Sequence, residues 1–158
     1  MPDVTKFPRT PKRLDVLYIR DPLYFVTCCA YRRRTILANT TFHDAFIVFA
    51  ERAQLEFGIA IGRYVILPDH LHFFISLGED KSLAQWIGTF KRTVGKVVKR
   101  ADSDDPIWQR GFFDHVMRSA DSYSQKWDYV RQNPVRVGLA KTAEEWPYSG
   151  EIVRIAYD

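Results

Sequence analysis

The sequence predicts an α+β domain: a ferredoxin-like βαββαβ sandwich with an antiparallel sheet and an additional C-terminal helix. Three observations support this prediction. Four apolar runs are typical of strands, two amphipathic stretches are typical of helices, and their order is strand, helix, strand, strand, helix, strand. That order is the split βαβ arrangement. Such a sheet packs its helices on one face and can leave the other face open.

The first half of the chain supplies one strand, one helix and a strand hairpin. Residues 24–30 are an apolar run rich in strand-forming side chains, which predicts the first strand. A helix begins at Thr40 or Thr41, repeats apolar residues at helical spacing and ends at Gly58. Residues 59–67 form the second strand, and a Pro-Asp turn leads into a third strand that returns antiparallel.

The second half supplies the rest of the sandwich and one further helix. Ser82 caps the second helix, whose apolar residues lie on one stripe. Residues 107–118 form the fourth strand. A third helix runs from a cap at Asp121 or Ser122 to Asn133, where a proline stops it. The tail that follows has little periodicity.

Length and composition indicate one folded domain. The chain has 158 residues, of which 46% are hydrophobic and 15% aromatic, too many for a disordered protein. We expect residues 1–20 to form a flexible N-terminal arm and residues 21–158 to form a single domain. Lys and Arg outnumber Asp and Glu by 23 to 19, and this net charge of +4 permits an anionic partner without requiring one.

The two cysteines, Cys28 and Cys29, bear on the cellular compartment. They are adjacent in the first strand, so their side chains point to opposite faces and a disulfide between them would strain the backbone. We interpret them as buried and reduced. The chain has no stretch long enough to span a membrane and no secretory hydrophobic core near residue 1. We therefore expect a cytoplasmic location and no membrane partner.

The third strand carries two histidines, His70 and His72, separated by one leucine. Because strand side chains alternate between faces, both imidazoles leave the same face, close enough to bind one divalent metal. The opposite face is an unbroken apolar row that suits a core. By itself the pattern fits either a metal site or an accident of packing. The histidines point away from the core, toward the face that we expect to be open.

Cations cluster on and beside the polar face of the second helix, with no acidic residue between positions 81 and 100. They are Lys91, Arg92, Lys96, Lys99 and Arg100. A solvated helix face and a surface that binds nucleic-acid phosphates explain them equally well. For the three arginines at positions 32–34, a solvated turn is favoured over a phosphate contact.

The third helix has a core stripe and a tyrosine well off that stripe. The core stripe consists of Tyr123, Trp127 and Val130. Tyr129 shares a polar face with Gln125, one turn before it, and with Asn133, one turn after it. Two interpretations stay open: a functional tyrosine, or a half-buried one whose hydroxyl reaches water.

Three segments together carry a family resemblance. They are residues 70–72 (His-Leu-His), residues 108–118 (Trp-Gln-Arg through Val-Met-Arg) and residues 129–135 (Tyr-Val-Arg-Gln-Asn-Pro-Val). The chain resembles the single-tyrosine HUH transposases, and within them the REP-associated tyrosine transposases, in which a Tyr-x-x-x-Asn-Pro stretch follows the histidine pair. The Trp-Pro-Tyr-Ser stretch at 146–149 is similar to that branch as well. Asp69 departs from the family, which more often has Asn before the first histidine.

The resemblance implies an enzyme that cuts and rejoins single-stranded DNA. His70, His72 and Asn133 would bind Mg²⁺ or Mn²⁺, whose octahedral coordination leaves room for phosphate oxygens and water. Tyr129 would attack the scissile phosphate and form a 5′-phosphotyrosine intermediate. Tyr129 and Asn133 would then lie one turn apart on one rigid helix.

The segment at residues 108–118 adds further candidates. Arg118, together with the basic face of the second helix, would contact DNA phosphates. His115 shares a strand face with apolar neighbours, which favours a structural histidine over a metal ligand. Trp108 fits base stacking and core packing equally well.

The implied partners are single-stranded DNA hairpins formed by repetitive elements, with a monomer favoured and a dimer as the alternative. One alternative function is a non-catalytic nucleic-acid-binding module on the same fold, and another is a mobile insertion-sequence transposase. The joint presence of His70, His72, Tyr129 and Asn133 favours the enzyme, because a module that only binds has no need of all four.

Overall fold

Seven strands and four α-helices make up the part of the chain that a computed structural model describes, residues 16–19, 22–98 and 104–157. The strands are β1 (Val16–Ile19), β2 (Leu23–Cys29), β3 (Ala60–Ile66), β4 (His70–Ser76), β5 (Phe113–Met117), β6 (Ser149–Glu151) and β7 (Arg154–Tyr157). The helices are α1 (Thr40–Phe57), α2 (Leu83–Gly95), α3 (Ala120–Val130) and α4 (Asn133–Arg136).

The strand order confirms the predicted α+β sandwich. Five strands form one antiparallel sheet in the order β5-β2-β4-β3-β6. Four of them alternate with the first two helices along the chain as β2-α1-β3-β4-α2-β5, which is the ferredoxin-like split βαβ arrangement. The histidine strand β4 is therefore central, with β2 paired on one side and β3 on the other.

The two crossover helices have local signals at their ends. The Asn39 side chain caps α1 by accepting a hydrogen bond from the Phe42 N–H at 2.9 Å, and Gly58 ends that helix in the left-handed region at φ 65°. The Ser82 hydroxyl caps α2 by accepting from the Gln85 N–H at 3.3 Å. Both helices pack on one face of the sheet. The aromatic centre of this first core consists of Phe42, Phe46, Phe73 and Phe90.

The opposite face of the sheet is not open, so that prediction is wrong. A second buried core covers much of it, formed with residues of α3 and β7. Phe74 lies on the same side of β4 as the histidines, and its ring centroid is 4.6 Å from that of Tyr123 on α3. The apolar stripe of α3 needs a surface to pack against, and the histidine face supplies it. The histidines therefore share their face with a core.

The two ends of the described chain complete this cover. Strand β7 pairs in parallel with β1, and β6 pairs with β3 at the edge of the main sheet. Strand β1 lies within the segment predicted to be a flexible arm, of which residues 1–15 and 20 lie outside the described part. These strands have only three or four residues each, too few for an alternating pattern to be recognised in the sequence.

Two element boundaries in the second half differ from the prediction. Strand β5 is shorter than residues 107–118, because Gly111, at φ 82°, interrupts the extended run. Helix α3 begins earlier than predicted, since its cap is Ser119, whose hydroxyl accepts from the Ser122 N–H at 3.1 Å in a capping box. The third residue of this helix is Ser122, where a capping box usually has Glu or Gln, so the box is hard to recognise from the sequence.

The cysteines are packed as predicted. Cys28 and Cys29 are both buried and unbridged, and burial raises the pKa of the Cys28 thiol to about 12. They therefore act as small apolar residues of the sheet. Across the described ranges, the helices are all too short or too polar to cross a membrane.

The second core makes a stability prediction. Ile155 on β7 is 7% exposed there, and Ile155→Ala is expected to lower the free energy of unfolding by about 2–5 kcal/mol, because it leaves a cavity. Leu55→Ala is the matched control: Leu55 is 85% exposed on α1, and we expect a change within about 0.5 kcal/mol. Urea unfolding measures both. Equal values for the two variants would contradict a buried second face.

Candidate active site

The two predicted histidines, here called the histidine pair, lie side by side at the start of β4. The ring centroids of His70 and His72 are 4.9 Å apart, and the ring planes are nearly perpendicular, at 82°. In the sheet register, Cys29 of β2 lies opposite His70 and Thr27 lies opposite His72. The alternation of the strand thus brings the two imidazoles together, as the sequence predicts.

His70 is oriented by its acidic neighbour. The His70 Nδ1 atom is 2.7 Å from Asp69 Oδ1. Arg33 Nη2 also lies 3.3 Å from this Nδ1 atom, but the contact with Asp69 is the shorter one. Because an ionised carboxylate can only accept a hydrogen bond, Nδ1 carries the proton and Nε2 keeps a free lone pair. Burial raises the pKa of Asp69, but hydrogen bonds from His70 and Arg33 outweigh it and hold that pKa below its usual range. Metal-binding histidines in proteins commonly donate their other ring N–H to a carboxylate, and this hydrogen bond orients the imidazole.

Arg33 holds that carboxylate in place. Its Nε donates to Asp69 Oδ2 at 2.8 Å, and its Nη1 donates to Cys29 Sγ at 3.3 Å. Arg32 and Arg33 both have positive φ angles, 53° and 55°, a conformation that costs a non-glycine residue about 1 kcal/mol or more. The contacts of Arg33 offset that cost. The turn is solvated, as the sequence favours, since the Arg33 side chain is 54% exposed, but Arg33 also belongs to the histidine site.

His72 is the more enclosed histidine. Its Nδ1 atom is 2.7 Å from Thr27 Oγ1, and its ring stacks on Phe25 with centroids 5.1 Å apart and planes at 20°. Burial, together with the neighbouring positive charges, lowers the pKa of His72 to about 3. The imidazole is therefore neutral at physiological pH, which is the form that binds a metal.

Tyr129 lies in the last turn of α3 and is 62% exposed, whereas Tyr123 and Val130 of the predicted core stripe are buried. The guanidinium carbon of Arg136 lies 4.1 Å from the centroid of the Tyr129 ring. Arg136 Nη2 donates to the Tyr129 carbonyl at 2.7 Å and also to Asn133 Oδ1. We call Tyr129, Asn133 and Arg136 the tyrosine cluster. Its arginine can stabilise negative charge on the phenol oxygen.

Tyr129 and Asn133 do not lie on one rigid helix, so that prediction is wrong. Helix α3 ends at Val130, and Asn133 begins the short helix α4. The cause is Pro134, which has no N–H to donate and whose ring clashes with the carbonyl four residues earlier in a continuous helix. The contacts of Arg136 connect the two residues across the break.

Helix α3 brings the tyrosine cluster to the face that carries the histidine pair. Phe74 of β4 contacts Tyr123 of α3. Lys126 of the same helix places its Nζ 4.8 Å from the centroid of Phe25, the ring that stacks on His72. Within the described residues, no hydrogen bond, ion pair or ring contact joins the tyrosine cluster to the histidine pair. The two groups share a face of the protein without direct contact.

Lys91, the first of the cations predicted to bind DNA, makes contacts inside the protein. Its Nζ donates to the carbonyls of Gln109, at 3.0 Å, and Gly111, and burial lowers the pKa of Lys91. The Trp108 Nε1 donates to the Lys91 carbonyl at 3.0 Å, and the Trp108 ring packs against Phe42 and Phe90 of the first core. Lys91 thus connects α2 to the segment before β5.

The other predicted cations lie in three places. Arg92 and Lys96 are exposed on or just after α2, and Arg118 is exposed directly after β5. Lys99 and Arg100 lie outside the described residues.

Two functional candidates, Arg33 and Arg136, were missed by sequence reasoning. Arg33 is one of three consecutive arginines, and nothing in the sequence distinguishes it from its neighbours. Arg136 lies two residues after the end of the Tyr-x-x-x-Asn-Pro stretch and three residues after Asn133. That helical spacing is the one signal that could have pointed to it.

Comparison with known proteins defines the class of protein. Residues 22–133 match the family described as "Transposase IS200 like". The matched region spans more than half of the chain and includes the histidine pair, Tyr129 and Asn133. The chain therefore belongs to the IS200-like transposase family, whose activity is the cleavage and rejoining of DNA.

REP-associated tyrosine transposases are among its similar relatives. The REP-associated tyrosine transposase of Escherichia coli (strain K12) is 30% identical over 137 residues, which cover 84% of this chain and 78% of the relative. A putative REP-associated tyrosine transposase of Haemophilus influenzae is 30% identical over 146 residues, covering 84% and 81%. The resemblance carried by the three sequence segments is thereby confirmed.

Solved structures agree with the fold. A REP-associated tyrosine transposase bound to a REP hairpin has a TM-score of 0.62 and 29% identity, covering 84% of this chain and 78% of that chain. A putative transposase from Deinococcus radiodurans R1 has a TM-score of 0.51 and 12% identity, covering 73% and 92%. The second likeness concerns the fold alone.

The Asp69 contact predicts the tautomer of His70. In the metal-free protein, at a pH where the imidazole is neutral, nitrogen NMR should show a proton on Nδ1 and none on Nε2. Asp69→Ala removes the acceptor, so we expect the Nε2-protonated form to appear. His43, which contacts the Tyr64 hydroxyl at 2.6 Å, should give unchanged signals and is the internal control. Nε2 protonation of His70 in the unaltered protein would refute the assignment.

Proposed function

We propose that this protein is a metal-dependent, single-tyrosine enzyme that nicks and rejoins single-stranded DNA through a 5′-phosphotyrosine intermediate. The observation that carries the proposal is the location of the histidine pair and an exposed tyrosine on the same face of a transposase-family fold. The substrate we propose is a hairpin formed by repetitive DNA. Its support is the solved relative, which is bound to a REP hairpin.

The donor groups of the site suit Mg²⁺ or Mn²⁺. Over the described ranges, no group of three His, Cys, Asp or Glu side chains could hold a metal ion. The histidine pair would supply two nitrogen ligands and Asn133 an amide oxygen, which leaves positions for phosphate oxygens and water. Asn133 Oδ1 accepts from Arg136, so metal binding requires Asn133 to exchange that hydrogen bond. When bound, the ion would polarise the scissile phosphate.

Tyr129 would supply the nucleophile. Its phenol oxygen forms a bond to phosphorus while the bond between phosphorus and the 3′ oxygen breaks. The phenol loses one proton and the released 3′ hydroxyl gains one, so the step is balanced. Arg136, over the Tyr129 ring, would stabilise the negative charge that develops. Because the number of phosphate ester bonds is unchanged, the reverse reaction rejoins DNA without ATP.

The exposed cations would hold the DNA backbone. Arg92, Lys96 and Arg118 are free of ion pairs with carboxylates in the described part of the chain, and Lys99 and Arg100 are the remaining candidates. Phosphate contacts of this kind add affinity without base specificity. We propose a monomer as the active form, with a dimer as the alternative.

Tyr129→Phe tests the nucleophile. The variant lacks the attacking oxygen, so we expect no covalent protein–DNA adduct after incubation with a single-stranded hairpin and Mg²⁺, and DNA binding close to normal. Tyr24→Phe is the matched control, because Tyr24 packs against the first core on the other face of the sheet. Denaturing gel electrophoresis with labelled DNA detects the adduct. An adduct that persists in Tyr129→Phe would exclude this tyrosine.

Mn²⁺ binding, followed by electron paramagnetic resonance, tests the histidine pair. We expect His70→Ala to abolish tight binding. Arg33→Ala should weaken it by about 10–100-fold, since residues that orient metal ligands have effects of this size. Arg32→Ala is the matched control, because Arg32 shares the turn and the positive φ but makes no contact with Asp69. Unchanged Mn²⁺ affinity in His70→Ala would rule out the pair as ligands.

A further inference from the structure

The segment at residues 108–118 belongs to the family pattern, yet the proposed chemistry uses only its last residue. The second half of this segment forms β5, the edge strand of the sheet next to β2. Phe113 begins that strand and is 63% exposed, more than any other phenylalanine in the described part of the chain. A single exposed ring is common on protein surfaces. What distinguishes the Phe113 ring is its position in the sheet.

The sheet register connects Phe113 to the histidine pair. Thr27 of β2 lies opposite Phe113 of β5 on one side and opposite His72 of β4 on the other. Directly opposed residues of an antiparallel sheet lie on the same face, with Cβ atoms about 5 Å apart. The row Phe113, Thr27, His72 therefore runs across the sheet from its edge to the candidate metal site.

The neighbouring row adds an imidazole and a cation. Phe25 lies opposite His115 of β5, whose side chain is exposed. The ammonium group of Lys126 lies 4.8 Å from the Phe25 ring centroid. Among the residues that the structure describes, no carboxylate forms an ion pair with Lys126. The cation is available to a ligand that enters from the edge of the sheet.

These rows border a shallow cavity of about 190 Å³. It is lined by Phe25, Thr27, Phe113, Asp114, His115 and Lys126. The rings of Phe25 and Phe113 in this lining favour an uncharged flat ring over a free inorganic anion. Aromatic rings beside cations hold single-stranded nucleic acids, because the base stacks on the ring while the backbone phosphate meets the cation.

We propose that this cavity binds the nucleobase next to the scissile phosphate by stacking on Phe113, and that Lys126 contacts the adjoining backbone phosphate. The proposal rests on the proposed function, since it takes single-stranded DNA as the substrate. Every base has a flat aromatic face, so the subsite adds affinity and positions the strand without strict sequence preference. Base stacking would explain why β5 carries an exposed aromatic ring.

Fluorescence anisotropy with labelled oligothymidylate, in EDTA to prevent cleavage, tests the stacking contact. Phe113→Leu keeps an apolar side chain but removes the aromatic face, and its Kd is expected to rise about tenfold. Phe113→Tyr keeps the face and should retain the affinity of the unaltered protein. Phe57→Leu is the matched control, since Phe57 is 51% exposed on α1, away from the site. An unchanged Kd in Phe113→Leu, or an equal rise in Phe57→Leu, overturns the proposal.

Photo-crosslinking locates the base independently of affinity. An oligonucleotide with iododeoxyuridine in place of thymidine is expected to crosslink to the peptide that contains Phe113, and the crosslink should disappear in Phe113→Leu. Crosslinks confined to other peptides overturn the subsite.

The Tyr129 adduct assay separates the subsite from the proposed function. If the unaltered protein forms an adduct but DNA binding does not depend on Phe113, the subsite alone is overturned. If the unaltered protein forms no adduct, the proposed function is overturned.

Discussion

The packing of α3 on the histidine face of β4 is the contact on which the candidate active site depends. Phe74, two residues after His72, is buried against Tyr123, whose hydroxyl accepts a hydrogen bond from the Arg63 N–H at 3.2 Å. Burial raises the pKa of Tyr123 to about 12, so this hydroxyl stays neutral. The close approach requires glycine at position 62, because a Cβ there would lie 2.7 Å from the Tyr123 hydroxyl oxygen.

That packing gives the two histidines different environments. His72 lies beside the second core, stacked on Phe25, and burial keeps it neutral. His70 lies at the rim, where Asp69 fixes its tautomer and Arg33 fixes Asp69. Both imidazoles have Nδ1 engaged by a protein group, so Nε2 is the atom left for a ligand. Burial thus keeps His72 in the neutral form that can bind a metal, and the hydrogen bond to Asp69 leaves the Nε2 atom of His70 free for a ligand.

The scaffold could largely be predicted because its elements depend on local patterns. Apolar periodicity and end signals such as Ser82 and Gly58 define the two crossover helices, and strand alternation defines the face of the histidine pair. The cover of that face could not be predicted, since β1 and β7 are four-residue strands from distant parts of the chain. Their pairing depends on tertiary packing and leaves no periodic signal.

The candidate site was predictable in its principal residues but not in its supporting ones. The histidine pair, Tyr129 and Asn133 have recognisable spacing. Arg33 depends on a left-handed turn that arginine does not favour, so its sequence gives no indication of the conformation. The helix break preceding Asn133 follows from Pro134, whose steric effect acts four residues earlier than the proline itself.

The central claim is that the histidine pair and Tyr129 act on the same phosphate. The most direct measurement is anomalous diffraction from crystals of Tyr129→Phe grown with Mn²⁺ and an uncleaved single-stranded hairpin. We expect one Mn²⁺ peak bonded to the imidazole nitrogens of His70 and His72, with a DNA phosphate between that ion and the ring at position 129. A Mn²⁺ peak on other residues, or a phosphate remote from position 129, would contradict the claim.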